Sequence, residues 1–110
     1  MHDVLLILTN VPDEACAERL TRHLLETSLA ACVNRFAPVQ SSYRWQGELE
    51  TALELPLLIK TSAARYPDVE AAIRELHPYD VPEILAWPAS AGYAPYLRWV
   101  IRETTPALRA

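Results

Sequence analysis

The order of elements in this chain predicts an α+β domain made of two strand–helix–strand units joined by a hairpin. Three observations carry that expectation. Val4-Leu5-Leu6-Ile7-Leu8 is a continuous apolar run of the length of a strand buried on both faces. Two stretches, after residue 13 and after residue 66, repeat their apolar residues at helical spacing. Between them, Gln46-Gly47 separates two runs that alternate with a period of two, the pattern of a tight hairpin.

Asn10-Val11-Pro12-Asp13 ends the first strand and opens a helix, with Glu14 favourably placed at the positive end of its dipole. From Ala15 to Leu29 an apolar stripe of Cys16, Ala17, Leu20, Leu24 and Leu25 reads as core, with Arg19, Arg22 and Glu26 off it. A long strand follows from Ala31 to Trp45, broken at Ala37-Pro38. The return strand spans Glu48 to Thr61, with Glu48, Glu50 and Glu54 on one face and Leu49, Leu53, Leu55, Leu57 and Ile59 on the other. Pro56 cannot donate a ladder hydrogen bond, so a bulge or an unpaired position is expected there. Pro67 sits at the start of a second helix carrying Tyr66, Val69, Ile73 and Leu76 on one side. That helix must stop at His77, because Pro78 excludes helical geometry from the residue before it. A strand from Glu83 to Pro88 and a C-terminal helix opened by Pro95 complete the chain, with a loose tail from Thr104. The expected architecture is ferredoxin-like βαββαβ with an additional C-terminal helix. Right-handed crossovers put both crossover helices on one face of a four-stranded antiparallel sheet. The other face would be left without helices. Tyr43, Trp45, Trp87 and Trp99 are more aromatic surface than that face needs in a monomer, so burial by another subunit is expected.

Composition narrows the function. Residues 1–110 suffice for a single domain, and a hydrophobic content of 51% suits a folded globule. A net charge of -4 argues against nucleic acid as a partner. No apolar run approaches the roughly 20 residues of a membrane span, and the first residues lack the basic region and cleavage site of a secretory peptide. Cys16 and Cys32 have neither CxxC nor zinc-finger spacing and read as reduced thiols of a cytoplasmic protein.

For chemistry, the segment Glu75 to Ile84 stands out, because it holds an imidazole, a phenol and carboxylates on a connection stiffened by Pro78 and Pro82. It reads equally as a ligand-meeting turn or as a loop whose polar groups cap the helix. Nothing in the sequence makes a positive case for an enzyme. Cys32, between Ala31 and Val33, suits an inert thiol better than a nucleophile, and two glycines cannot build a phosphate loop. The imidazoles are His2, His23 and His77, of which His77 alone is held with restraint. Lys60, at the end of the return strand, could face a cleft made with the turn of Tyr79 to Glu83, or simply pair with Glu83.

Thr9-Asn10-Val11-Pro12-Asp13, Leu29-Ala30-Ala31-Cys32-Val33-Asn34, Ser42-Tyr43-Arg44-Trp45-Gln46-Gly47-Glu48, Leu58-Ile59-Lys60-Thr61, His77-Pro78-Tyr79-Asp80-Val81-Pro82-Glu83-Ile84 and Tyr96-Leu97 with Trp99 together resemble the divalent-cation-tolerance (CutA) family. The resemblance covers roughly Val4 to Glu103. It implies a tight homotrimer with hairpin strands crossing between subunits, and a role in tolerance to divalent cations, chiefly copper. It also implies a likeness to trimeric PII-type signal proteins. Hence the alternative reading is a PII-like sensor of a small anionic metabolite at subunit clefts. Such an intersubunit cleft maps onto Cys32, Trp45, Lys60, Tyr79, Glu83 and Trp99. The family's proposed copper donors fall on Thr9, Leu76 and His77, so His77 is the one metal ligand retained, and only weak copper binding is expected.

Overall fold

The computed structural model describes residues 3–106. The chain forms β1 (Val4–Val11), α1 (Glu14–Glu26), β2 (Cys32–Arg35), β3 (Val39–Trp45) and β4 (Glu48–Ser62). After a 3-10 turn (Ala63–Arg65) come α2 (Tyr66–Leu76), β5 (Leu85–Pro88) and α3 (Ala94–Glu103). The sheet order is β2-β4-β1-β5 with every neighbouring pair antiparallel, and β3 prolongs β2 along the same edge of β4. This is the expected α+β, ferredoxin-like arrangement with an added C-terminal helix.

Local chemistry explains the element ends. The Asp13 carboxylate accepts the Cys16 amide at 2.8 Å and caps α1. α1 stops at Glu26, short of the expected Leu29, because Ser28 turns into left-handed geometry (φ 57°) and the Leu29 amide bonds back to the Leu24 carbonyl at 2.9 Å. Gln46 (φ 50°) and Gly47 (φ 82°) form a two-residue turn between the paired Trp45 and Glu48, and positive φ at both positions matches the twist of the flanking strands. α2 ends at Leu76, and His77 takes extended geometry as Pro78 requires. β1 is longer than the five-residue apolar run suggested, since Thr9 and Asn10 stay paired with β4. β5 is shorter than expected and starts at Leu85. Thr104 is not loose: it is fully buried, and its hydroxyl donates to the Val100 carbonyl at 2.8 Å. The rest of the expected tail, residues 107–110, lies outside the described residues, as does His2.

The register resolves the expectation at Pro56. β1 and β4 pair without interruption from Val4↔Ser62 to Val11↔Leu55, with Asn10 opposite Pro56. On the other edge the Phe36 amide donates to the Pro56 carbonyl at 3.0 Å. β4 therefore carries no bulge. The irregularity lies in its partner: Phe36 meets Pro56 and Val39 meets Glu54, so Ala37 and Pro38 together span the single position of Leu55. The missing amide of Pro56 faces this break, where no ladder bond is required of it.

Alternation along the strands defines two faces. Ile7, Val11, Leu55, Leu57 and Ile59 pack with Cys16, Leu20 and Leu24 of α1 and Val69 and Ile73 of α2 into one core. The opposite face carries Leu6, Leu8, Leu58, Lys60, Leu85 and Trp87, placed together by cross-strand pairing. The expectation that this face bears no helix needs correction. α3 packs on one end of it, with the Lys60 ammonium 5.9 Å from the centre of the Tyr96 ring. Leu85 and Trp87 nevertheless remain 57% and 42% exposed.

Candidate functional site

The turn after α2 folds back onto the end of β1. His77 is buried, with Nε2 2.6 Å from the Asn10 carbonyl oxygen, while Nδ1 accepts the Tyr79 amide at 3.1 Å. A single neutral tautomer satisfies both contacts, with the proton on Nε2. The ring thus ties α2, β1 and the turn together. It also packs against Tyr79, with ring centres 4.6 Å apart.

So anchored, Tyr79 reaches β4, and its hydroxyl donates to Glu54 Oε2 at 3.0 Å. Burial, reinforced by the bond to the Glu54 carboxylate, pushes the Tyr79 pKa up to about 12, so the phenol stays a proton donor at neutral pH. Across the turn, the Asn10 side-chain amide donates to Glu83 Oε1 at 3.2 Å, while Asn10 Oδ1 is buried without a partner. These groups line a cleft of about 610 Å³ together with Tyr43, Trp45 and Asp80. A volume of that order suits a small ligand.

The residues expected at the site separate into two groups within one subunit. Trp45, Tyr79 and Glu83 line the cleft, and His77 supports it from the interior. Cys32, Lys60 and Trp99 lie at the other end of the same sheet face. Cys32 pairs with Lys60 across the strands, Lys60 lies over Tyr96, and the Tyr96 ring centre is 5.6 Å from that of Trp99. Lys60 lies six residue steps beyond Glu54 along β4, about 20 Å of strand. Lys60 therefore neither faces the turn of Tyr79 to Glu83 nor pairs with Glu83, whose carboxylate is held by Asn10 instead. The charged residues that line the cleft are Glu54, Asp80 and Glu83, a lining that repels an anion.

Metal donors are similarly constrained. With both ring nitrogens engaged inside the fold, His77 has no lone pair for a metal unless those bonds break. Thr9 is fully buried among the strands, with its hydroxyl oxygen unpartnered. Cys32 is half-buried, its sulfur 3.9 Å from Asn34 Oδ1, and Cys16 is a core thiol whose pKa burial pushes up. Among the described residues, no three His, Cys, Asp or Glu side chains gather closely enough to hold a metal ion.

Glu54, Asn10 and Tyr43 are the cleft residues that sequence reasoning passed over. Glu54 did leave a trace: it is a lone carboxylate in Leu53-Glu54-Leu55-Pro56-Leu57-Leu58 and is only 8% exposed. A charged residue in so apolar a run needs a dedicated partner, and Tyr79 supplies it.

Residues 5–103 match the family of the CutA1 divalent ion tolerance protein. A divalent-cation tolerance protein CutA from Thermus thermophilus is 45% identical over 105 residues, covering 96% of this chain and 99% of its own. Its counterpart in Pectobacterium atrosepticum is 43% identical over 98 residues, 89% of either chain. The crystal structure of CutA from Xylella fastidiosa superposes with a TM-score of 0.91 at 42% identity, over 94% of this chain and 99% of that one. No helix among the described residues is long and apolar enough to cross a membrane.

Proposed function

The chain belongs to the CutA1 divalent ion tolerance family, and from that premise we propose that it acts as a homotrimeric binding protein, not a catalyst, in tolerance of divalent cations, copper among them. The observation that carries the reading is the apolar surface left bare along the β3–β4 hairpin and the second sheet face. Leu49 is 80% exposed and Leu53 69%, and Tyr43, Trp45, Leu85 and Trp87 are each around half exposed. A monomer in water gains nothing from displaying these side chains, whereas identical copies bury them by symmetry. Such assembly also offers Trp45, Tyr79 and Glu83 of one copy a route to Cys32, Lys60 and Trp99 of another. That would make the subunit cleft the binding site. The free thiols Cys16 and Cys32 suit the reducing cytoplasm.

The donors of one subunit do not fit a tight soft-metal centre, given the engaged ring of His77. Copper contact is accordingly weak, with a Kd on the order of micromolar or poorer. Sedimentation velocity should give a trimer at micromolar concentration, and calorimetric copper titration should give weak binding that His77→Ala leaves unchanged. A stable monomer removes the assembly reading. A nanomolar site abolished by His77→Ala shows that the imidazole leaves its internal bonds to take metal.

A further inference from the structure

Charge is divided unevenly along the second sheet face. Lys60 is the single lysine of the chain, and it stands in a cross-strand row of Cys32, Lys60, Leu6 and Trp87. Its ammonium lies over the Tyr96 ring, and no ion pair among the described residues includes it. The carboxylates of Glu54, Asp80 and Glu83 gather at the other end, in the cleft beside Tyr43 and Trp45. Within one subunit about 20 Å of strand keeps the two charges apart. Both ends also display apolar surface, Tyr43 and Trp45 with the carboxylates and Trp87 with the lysine. A two-fold contact that sets either end against its own copy brings like charges together. A contact that sets one end against the other joins opposite charges, and repeated about a rotation axis it closes a ring.

We propose that Lys60 of one copy enters the cleft of the next and pairs with Glu83 there, so that opposite charge selects a head-to-tail ring. This deepens the assembly reading above and rests on it. Covering Lys60 with the aromatic hairpin of a neighbour takes its ammonium out of water, and an ammonium so covered needs a carboxylate as partner. Glu83 suits that part better than the carboxylates beside it. Glu54 is already buried and bonded to Tyr79. Glu83 is exposed in the single subunit, and the Asn10 side-chain amide steadies its carboxylate at 3.2 Å. Asp80 is exposed too, but among the described residues nothing holds its side chain in place. The pairing makes Lys60 a fastening between copies. An anion reaches that ammonium only by displacing Glu83.

The test begins with carbodiimide coupling of the wild-type full chain, which joins an ammonium to a carboxylate in contact with it without adding a spacer. Denaturing electrophoresis should show linked copies, and peptide mapping should place the new amide between Lys60 and Glu83. No linkage through Lys60, or linkage to any carboxylate but Glu83, overturns the pairing. In sedimentation, Lys60→Glu and Glu83→Lys should each raise the concentration of half-assembly by about tenfold or more, since like charges then meet. The double exchange should restore it to within about threefold of wild type. Unchanged assembly in both single variants overturns the pairing, as does a folded double variant as weak as either. Should a reversal fail to fold, the coupling of the wild type still decides. Sedimentation of the wild type separates the two readings. A trimer without the Lys60–Glu83 amide overturns the pairing and spares the assembly, whereas a stable monomer overturns both.

Discussion

β4 passes through two environments in fifteen residues, and its halves show what surrounds a strand rather than what composes it. From Leu55 to Ser62 it is flanked by β1 on one edge and, from Leu57 to Lys60, by β2 on the other, with Leu57, Ile59 and Thr61 fully buried. From Glu48 to Leu53 its leucines are as apolar, yet Leu49 and Leu53 stand mostly in solvent. The difference is coverage. β1 pairing stops at Leu55, so the outer half has β3 on one edge and an open edge on the other. An open edge with apolar side chains is a liability for a monomer and an attachment point for an assembly. A two-stranded hairpin is also marginal on its own in water. The inner half is covered on both edges; the outer half leaves one edge and its leucines uncovered.

Substitutions can break or sharpen that contrast. The largest effect belongs to the inner half. Ile59→Ala should lower stability by about 2–5 kcal/mol in urea unfolding, since the cavity opens among side chains with no freedom to collapse. In the outer half, Trp45→Ala should weaken the proposed trimer by about 2 kcal/mol or more, read as a shift of the sedimentation isotherm. An unshifted isotherm would mean the hairpin is not covered by a neighbour. At the hairpin tip, Gly47→Ala meets no neighbouring atom within 4 Å, so its cost is purely that of holding a Cβ at φ 82°. About 1–2 kcal/mol is expected, expressed in amide exchange of β3 before β5.

The smallest effect joins the halves, because Tyr79 reaches Glu54 where they meet. Tyr79→Phe should cost about 0.5–1.5 kcal/mol at neutral pH. The pH dependence has a definite sign. Folding raises the Tyr79 pKa from 10.0 to about 12, so the folded state holds the proton more tightly. That stabilisation is complete below pH 10 and is lost as the pH climbs toward 12. Tyr79→Phe should flatten the fall over this window. A residual slope should persist from Tyr66, whose pKa burial and the hydrogen bond to Glu70 also raise. An identical alkaline profile in the variant would assign the whole slope to other groups, Tyr66 and Cys16 among them, and leave the Tyr79–Glu54 bond without consequence for stability.

Legibility in the sequence follows the range of the interactions. Gln46-Gly47, Pro67 and Pro78 act within a few residues, so the hairpin and the bounds of α2 could be read directly. The family of the chain was readable too, because its blocks keep their order. Glu54 was read as one of three carboxylates on a polar strand face, and that failed for Glu54 alone. Its neighbour Tyr79 is 25 residues away and arrives only because His77 pins the turn to Asn10. Lys60 was read as facing the turn of Tyr79 to Glu83 or pairing with Glu83, and within one subunit it does neither, because the register of β4 with β1 and β2 carries it to the other end of the face.

The two-for-one spacing at Ala37-Pro38 fixes the phase of everything beyond it. Because β4 runs through unbroken, the residues of β3 facing Glu54 are odd-numbered: Val39, Ser41, Tyr43 and Trp45. Were β3 to pair on from Phe36 without this bulge, Ala37 would meet Leu55 and Pro38 would meet Glu54, which would rotate β3 by half a turn about its axis. Gln40, Ser42 and Arg44 would then look into the cleft, and both aromatic rings would be carried to the far side of the ribbon. The Arg44 guanidinium would stand where tyrosine and tryptophan had been. The bulge thus acts as an indexing tooth, and the acidic cleft keeps its aromatic wall only while β3 pairs with β4 in this phase.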